Sequence, residues 1–170
     1  LPISRAAELT AGFGPILALA PAANWLGKTW PIERFTRVAM SLLGSDGPMK
    51  GGRLMVLGGP EDRKLARGLQ DVVMRRQFID LTQEGDLLTS YACLKRARLF
   101  IGNDSGPMHL SAASGNRVLA IFGPTSPRRF GPFPLDNPKH RAVEAPGGRL
   151  ADLEPAAVLA ALEELRARVF

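Results

Sequence analysis

Short continuous apolar runs recur along the chain: Ile16-Leu17-Ala18-Leu19-Ala20, Leu54-Met55-Val56-Leu57, Phe78-Ile79-Asp80-Leu81, Leu99 to Gly102 and Val118-Leu119-Ala120-Ile121-Phe122. Runs of strand length without polar alternation predict strands buried on both faces. Between them the apolar positions switch to helical spacing. Phe35, Val38, Ala39, Ser41, Leu42 and Leu43 form one such face. Leu65, Ala66, Leu69, Val72 and Val73 form another, on a helix predicted from Arg63 to Arg76. A third helix is predicted over Leu87 to Ala97, with Leu88, Tyr91, Ala92, Leu94 and Lys95 at helical spacing. A last one runs from Leu153 to Val169, after an edge strand at Arg141-Ala142-Val143-Glu144. Residues 1–14 show no clear period and read as a lead-in or linker. Strands alternating with helices of 10–15 residues imply βαβ units with right-handed crossovers. The expected fold is therefore α/β: one Rossmann-like domain over residues 15–170, a parallel sheet with helices on both faces.

That fold gives the strand ends their meaning. Asn24 and Lys28, Gly58 to Asp62, Asn103 to His109, and Gly123 to Thr125 all follow strands, so a parallel sheet gathers them at one carboxyl edge, where open α/β sheets bind ligands. The richest stretch is Ile101-Gly102-Asn103-Asp104-Ser105-Gly106-Pro107-Met108-His109, a strand that stops in Asn-Asp-Ser-Gly and opens a helix. The unpaired N–H groups of a first helical turn favour a phosphate. Either Asp104 or Ser105 can simply cap that helix, but capping does not ask for Asp, Ser, Gly and His together. Lys28 lies at a helix start, where a cation opposes the dipole unless an anion sits nearby. Trp30 reads as core and Trp25 as a candidate for stacking on a base or sugar. Gly58-Gly59-Pro60 is only half a dinucleotide fingerprint. Asp62 is expected to cap the next helix, and Glu61 stays open between capping and a ribose hydroxyl. His109, one turn after Ser105, is expected on the ligand side or hydrogen-bonded within the fold.

Composition narrows the classes. The chain has 170 residues, 45% hydrophobic and 22% charged, as a globular domain does, and its apolar runs are too short to cross a bilayer. Leu1-Pro2-Ile3-Ser4 has no basic start followed by an apolar core, so no signal peptide is expected. The single cysteine, Cys93, excludes an internal disulfide and reads as a buried thiol suited to a reducing, cytoplasmic compartment. A net charge of +6 fits either a solvated basic surface or attraction to phosphorylated partners. Arg128, Arg129, Lys139, His140 and Arg141 fall in or beside one long loop after Thr125, a functional suspect. No basic-aromatic platform for nucleic acid is legible. Two histidines, and carboxylates without ligand spacing, build no metal site. No Ser-His-Asp or Cys-His arrangement is present either.

Together, Gly102-Asn103-Asp104-Ser105-Gly106-Pro107-Met108-His109-Leu110-Ser111-Ala112-Ala113 and Leu119-Ala120-Ile121-Phe122-Gly123-Pro124-Thr125-Ser126-Pro127 resemble the carboxyl-terminal domain of glycosyltransferase family 9. These are the ADP-heptose:lipopolysaccharide heptosyltransferases. Lys28-Thr29-Trp30-Pro31 is similar to the family's Lys-x-Trp-Pro signature, and Leu57-Gly58-Gly59-Pro60-Glu61-Asp62 fits its second-strand turn. The resemblance implies the nucleotide-sugar half of a GT-B enzyme that moves heptose from ADP-heptose to the lipopolysaccharide inner core with inversion, needing no cofactor or metal. It implies that Asn24 and Lys28 meet the phosphates and heptose, and that Glu61 holds the ribose. Asp104 would hold heptose hydroxyls, Ser105 and Gly106 the diphosphate, and His109 would lie beside the phosphates. The acceptor-binding amino-terminal domain and its general base have no counterpart here, so the resemblance implies a fragment unable to transfer sugar alone. It also implies work at the inner face of the cytoplasmic membrane, with peripheral contact and no nucleic-acid partner. Two other readings remain: another GT-B enzyme using a uridine donor (a transferase or epimerase), and a non-catalytic nucleotide-binding module.

Overall fold

The computed structural model describes residues 1–23 and 26–169. Six strands, β1 (Ile16–Ala20), β2 (Arg53–Val56), β3 (Phe78–Asp80), β4 (Leu99–Asn103), β5 (Val118–Phe122) and β6 (His140–Glu144), form one sheet in the order β3-β2-β1-β4-β5-β6. Every neighbouring pair is parallel. Alternation along each strand divides the core in two, because successive side chains leave opposite faces. Leu17, Leu19, Leu54, Val56, Ile101, Leu119 and Ile121 point to one side. Ile16, Ala18, Ala20, Met55, Phe100, Val118, Ala120 and Phe122 point to the other. Helices α2 (Ile32–Leu43), α3 (Arg63–Leu69) and α7 (Pro155–Val169) cover the first face; α1 (Pro2–Leu9), α4 (Leu87–Leu94) and α5 (Gly106–Ala113) cover the second. A one-turn helix, α6 (Pro127–Phe130), interrupts the loop after β5.

The structure corrects the sequence reading at three places. Residues 1–14 are not a featureless lead-in, because Pro2–Leu9 is helical and seats Ala6, fully buried, in the second layer. The helix expected from Arg63 to Arg76 ends at Leu69 and continues as separate 3-10 turns at Gln70–Val72 and Arg75–Gln77. Gly68 and the β-branched pair Val72-Val73 weaken that helix, while Val72 and Val73 still pack against the core. In α4 the inward residues are Thr89, Cys93 and Leu94, and Leu88 is exposed. Asp86 sets that rotation by accepting from Leu88 N at 3.1 Å and from Thr89 Oγ1 at 2.7 Å.

Candidate functional site

The sheet order reverses direction at β1, whose neighbours are β2 and β4, so the loops after β1 and β4 part and leave a crevice at the carboxyl edge. Asn103, the last residue of β4, ties the two loops together. Its Oδ1 accepts from Trp30 N at 3.0 Å and its Nδ2 donates to Pro21 O at 2.8 Å, all without solvent exposure. Trp30 is itself buried, packs edge-on against Phe35 at 5.0 Å, and donates Nε1–H to Leu153 O at 2.9 Å. The expectation that Trp30 belongs to the core holds. These bonds set the 3-10 turn Leu26–Lys28 over the end of β4.

Lys28 Nζ then lies 3.2 Å from Asp104 Oδ2, and the same oxygen accepts from Thr125 Oγ1 at 2.8 Å. Asp104 is 6% exposed and the Lys28 side chain 25%. Three loops, from β1, β4 and β5, thus converge on one carboxylate. The Phe130 ring of α6 flanks it, with its centroid 5.5 Å from Lys28 Nζ. Gly123, where a Cβ would stand 2.8 Å from Leu150 and 3.1 Å from Gly27 O, lets the β5 loop approach this closely.

Beside this cluster, Ala22, Ala23, Gly58, Glu61, Ser105 and Gly106 help line a cleft of about 440 Å³. Ser105 is the N-cap of α5, yet its side chain makes no cap bond and its hydroxyl donates to Asn103 O at 3.2 Å. Asp104 faces Lys28 and Thr125 instead of the helix. Neither residue follows the capping alternative, so the first turn of α5 carries no side-chain cap and meets the cleft with its positive end. Across the cleft, Asp62 stands at the N-cap of α3 but does not cap it as expected: its side chain makes no bond to that helix, and Oδ2 accepts instead from Gly59 N at 2.8 Å, closing the preceding 3-10 turn. The Glu61 carboxylate folds over Gly59, where a Cβ would come within 2.5 Å of it.

The sequence-predicted residues divide accordingly. Lys28 and Asp104 form the charged cluster; Glu61, Ser105 and Gly106 line the cleft. His109 is exposed on α5, against the backbone of Gly131 at the end of α6, and is not among the residues lining the cleft. Asn24 and Trp25 lie outside the described residues. Sequence reasoning flagged the segments holding Asn103 and Thr125 without giving either a role. The basic residues around the long loop separate: Arg128 and Arg129 ride on α6, and His140 is buried, its Nδ1 2.8 Å from Pro134 O. Arg141 pairs with Glu164 at 2.9 Å. Among the described residues no group of three or more His, Cys, Asp or Glu is placed to hold a metal ion, and no helix is long and apolar enough to cross a membrane.

The family model for glycosyltransferase family 9 (heptosyltransferase) matches residues 3–148. The chain belongs to that family. Lipooligosaccharide heptosyltransferase 2 of Campylobacter jejuni is 30% identical over 128 residues, 73% of this chain and 38% of the relative. The Haemophilus influenzae protein of the same name is 25% identical over 126 residues, 72% of this chain and 35% of its own. In structure, Escherichia coli ADP-heptose lps heptosyltransferase II overlays with a TM-score of 0.78 at 22% identity, covering 98% of this chain and 51% of that one. The E. coli heptosyltransferase WaaC with ADP overlays at 0.76 with 24% identity, covering 89% and 44%. The chain thus spans between a third and about half the length of these relatives. Its fold is that of one Rossmann-like unit of the family-9 architecture. The family match begins inside α1 and takes in the Lys28, Glu61 and Asp104 segments.

Proposed function

We propose that this chain is the donor-binding half of an inverting heptosyltransferase that takes ADP-heptose and delivers heptose to the inner core of lipopolysaccharide. The observation that carries the reading is the convergence of Lys28, Thr125 and Asp104 beside an α5 N-terminus that no side chain caps. That arrangement suits a nucleoside diphosphate-sugar. The diphosphate lies against the first-turn N–H groups and the Ser105 hydroxyl. The Lys28 ammonium meets the phosphates or the sugar next to them, and Asp104 accepts from sugar hydroxyls. Glu61, across the cleft, accepts from ribose hydroxyls; the family resemblance adds phosphate contacts from Asn24 and His109, of which His109 does not line the cleft.

In the reaction an acceptor hydroxyl oxygen bonds to the anomeric carbon from the face opposite the diphosphate. The bond from that carbon to the phosphate oxygen breaks, and its electron pair leaves with ADP. The acceptor proton passes to a general base, which we place outside this chain. What these residues contribute is preorganised charge for the departing diphosphate, the form of electrostatic help that strengthens as the bond breaks. No metal is required for that role, because the ammonium and the helix end supply the positive charge. The residues before β1 serve as the connection toward an acceptor-binding domain, and the enzyme works at the inner face of the cytoplasmic membrane.

Calorimetric titration with ADP and UDP tests the reading. ADP is expected to bind more tightly than UDP; Lys28→Ala is expected to weaken ADP by roughly 10- to 100-fold, the loss of one charged contact, and Asp104→Ala to weaken it less, because Asp104 acts on ADP only by seating Lys28. UDP preference would transfer the site to a uridine-donor GT-B enzyme. Submicromolar ADP binding indifferent to both substitutions would favour a non-catalytic nucleotide module.

A further inference from the structure

Asp104 is gripped twice on one oxygen. Lys28 Nζ stands 3.2 Å from Oδ2, and Thr125 Oγ1 donates to the same atom at 2.8 Å. Among the described residues none donates to Oδ1, and Oδ1 is not one of the buried polar atoms left without a partner. It is the oxygen with lone pairs left for a ligand.

The two grips are not equivalent. An ammonium is a compact charge whose three donors rotate, and the terminal torsion of an aspartate is broad. Lys28 therefore attracts the carboxylate without fixing its plane. A hydroxyl has one proton, and its hydrogen bond weakens steeply when bent. Thr125 is also the stiffer of the two donors. Its branched side chain has few rotamers, and Pro124 before it has a fixed φ. Directly after it, Ser126 O accepts from Arg129 N at 3.1 Å and from Phe130 N at 3.0 Å, so the backbone passes straight into α6. Thr125 thus carries a rigid reference from β5 to the carboxylate at the end of β4.

We propose that Thr125 is the positioning residue for the donor's sugar. By holding Oδ2 it turns Oδ1 toward the sugar hydroxyls, and so governs affinity for a nucleoside diphosphate-sugar while leaving that for the bare nucleoside diphosphate almost untouched. This rests on the donor reading above and adds a division of labour to it. The diphosphate has its own receivers, Lys28 and the uncapped first turn of α5. Neither depends on the Thr125 hydroxyl, because Lys28 keeps its pairing with Asp104 and its place 5.5 Å from the Phe130 ring centroid without it. Once the bond to the sugar breaks, ADP no longer draws on this hold.

Calorimetric titration of the chain with ADP-heptose and with ADP tests the proposal. Thr125→Val removes the hydroxyl and keeps the branched shape. It is expected to weaken ADP-heptose by about tenfold, the loss of one hydrogen bond to a charged group, and ADP by less than about threefold. Thr125→Ser keeps the hydroxyl and should stay within about threefold of the unsubstituted chain for both ligands. On top of Asp104→Ala, Thr125→Val should cost less than about twofold more, since residues acting through one contact are not additive. Equal weakening of both ligands would overturn the proposal and make Thr125 a support of the whole site. Unchanged ADP-heptose binding would overturn it, as would a serine that fails to restore binding or a full further loss beside Asp104→Ala. Each of those results, in a chain that binds ADP, sinks this inference alone. An unsubstituted chain that binds neither ligand would sink the donor reading and this inference with it.

Discussion

A single side chain, Asn103, ties together the two loops that border the crevice. It is the last residue of β4, and its amide satisfies a backbone donor from one side of the β1 loop and a backbone carbonyl from the other. Asn103→Ala would leave both of those buried groups unpaired, at about 1–3 kcal/mol each. The expected loss is roughly 2–5 kcal/mol in urea unfolding, with ADP binding weakened because Lys28 loses its seat. A change below about 0.5 kcal/mol, the range of ordinary surface substitutions, would mean the loops are held by something else. Cys93 offers a second residue-scale test. Burial, and then Glu84, raise its thiol pKa above the ordinary 9.0, partly offset by Arg96 and Arg5. The folded state therefore holds its proton longer than the unfolded one. Cys93 contributes stability below pH 9.0 that fades as pH rises through the higher folded value. In Ellman's titration the native thiol should react only as fast as the protein opens, and fast native labelling would contradict that burial.

At the scale of elements, the strands and their order of use were legible because a buried parallel strand is written as a local apolar run, and five such runs stand out. What escaped were features fixed by distant partners. Helix α1 buries only Ala6 and leaves Leu1 and Ile3 in solvent, so no apolar period announces it. Its place is secured by Arg53, at the start of β2, whose guanidinium donates to Thr10 O and, at 3.0 Å, to Gly14 O. A charged residue opening an apolar strand gives no hint of that clamp. Arg53→Met keeps the stem and removes the donors. Amide exchange in residues 1–14 should then accelerate by at least about tenfold while the β4 and β5 amides stay protected. Uniform loss of protection would instead make Arg53 a determinant of the whole fold. Site residues followed the same division. Lys28, Asp104 and Glu61 were readable from motif and position after strands. Thr125 became meaningful only when β5 was seen beside β4, aiming its hydroxyl at Asp104.

Across the whole molecule the two edges of the sheet do different work, because every strand runs the same way. The carboxyl edge collects strand-to-helix turns, where α5 presents its positive end to the cleft. The amino edge collects helix ends and the cations that follow them. The donor edge is also chemically one-sided. Asp104 is already engaged by Lys28 and Thr125 through the same oxygen; Glu61 sits across the cleft on the proposed ribose side. On the proposed function, binding energy gathered here stabilises a departing diphosphate, and the acceptor's proton goes to a base outside these residues. Loss of a general base costs typically 10²–10⁴-fold, and loss of acceptor positioning costs more. The 170-residue chain should therefore bind ADP while releasing no ADP from ADP-heptose above background, even with a soluble inner-core acceptor supplied. ADP at about 100 times its Kd should raise Tm by roughly 5–11 °C through mass action, which certifies the site in the same sample. Turnover by a chain that shows this shift would place the base among these residues. Glu61 and His109 would be the first two to replace.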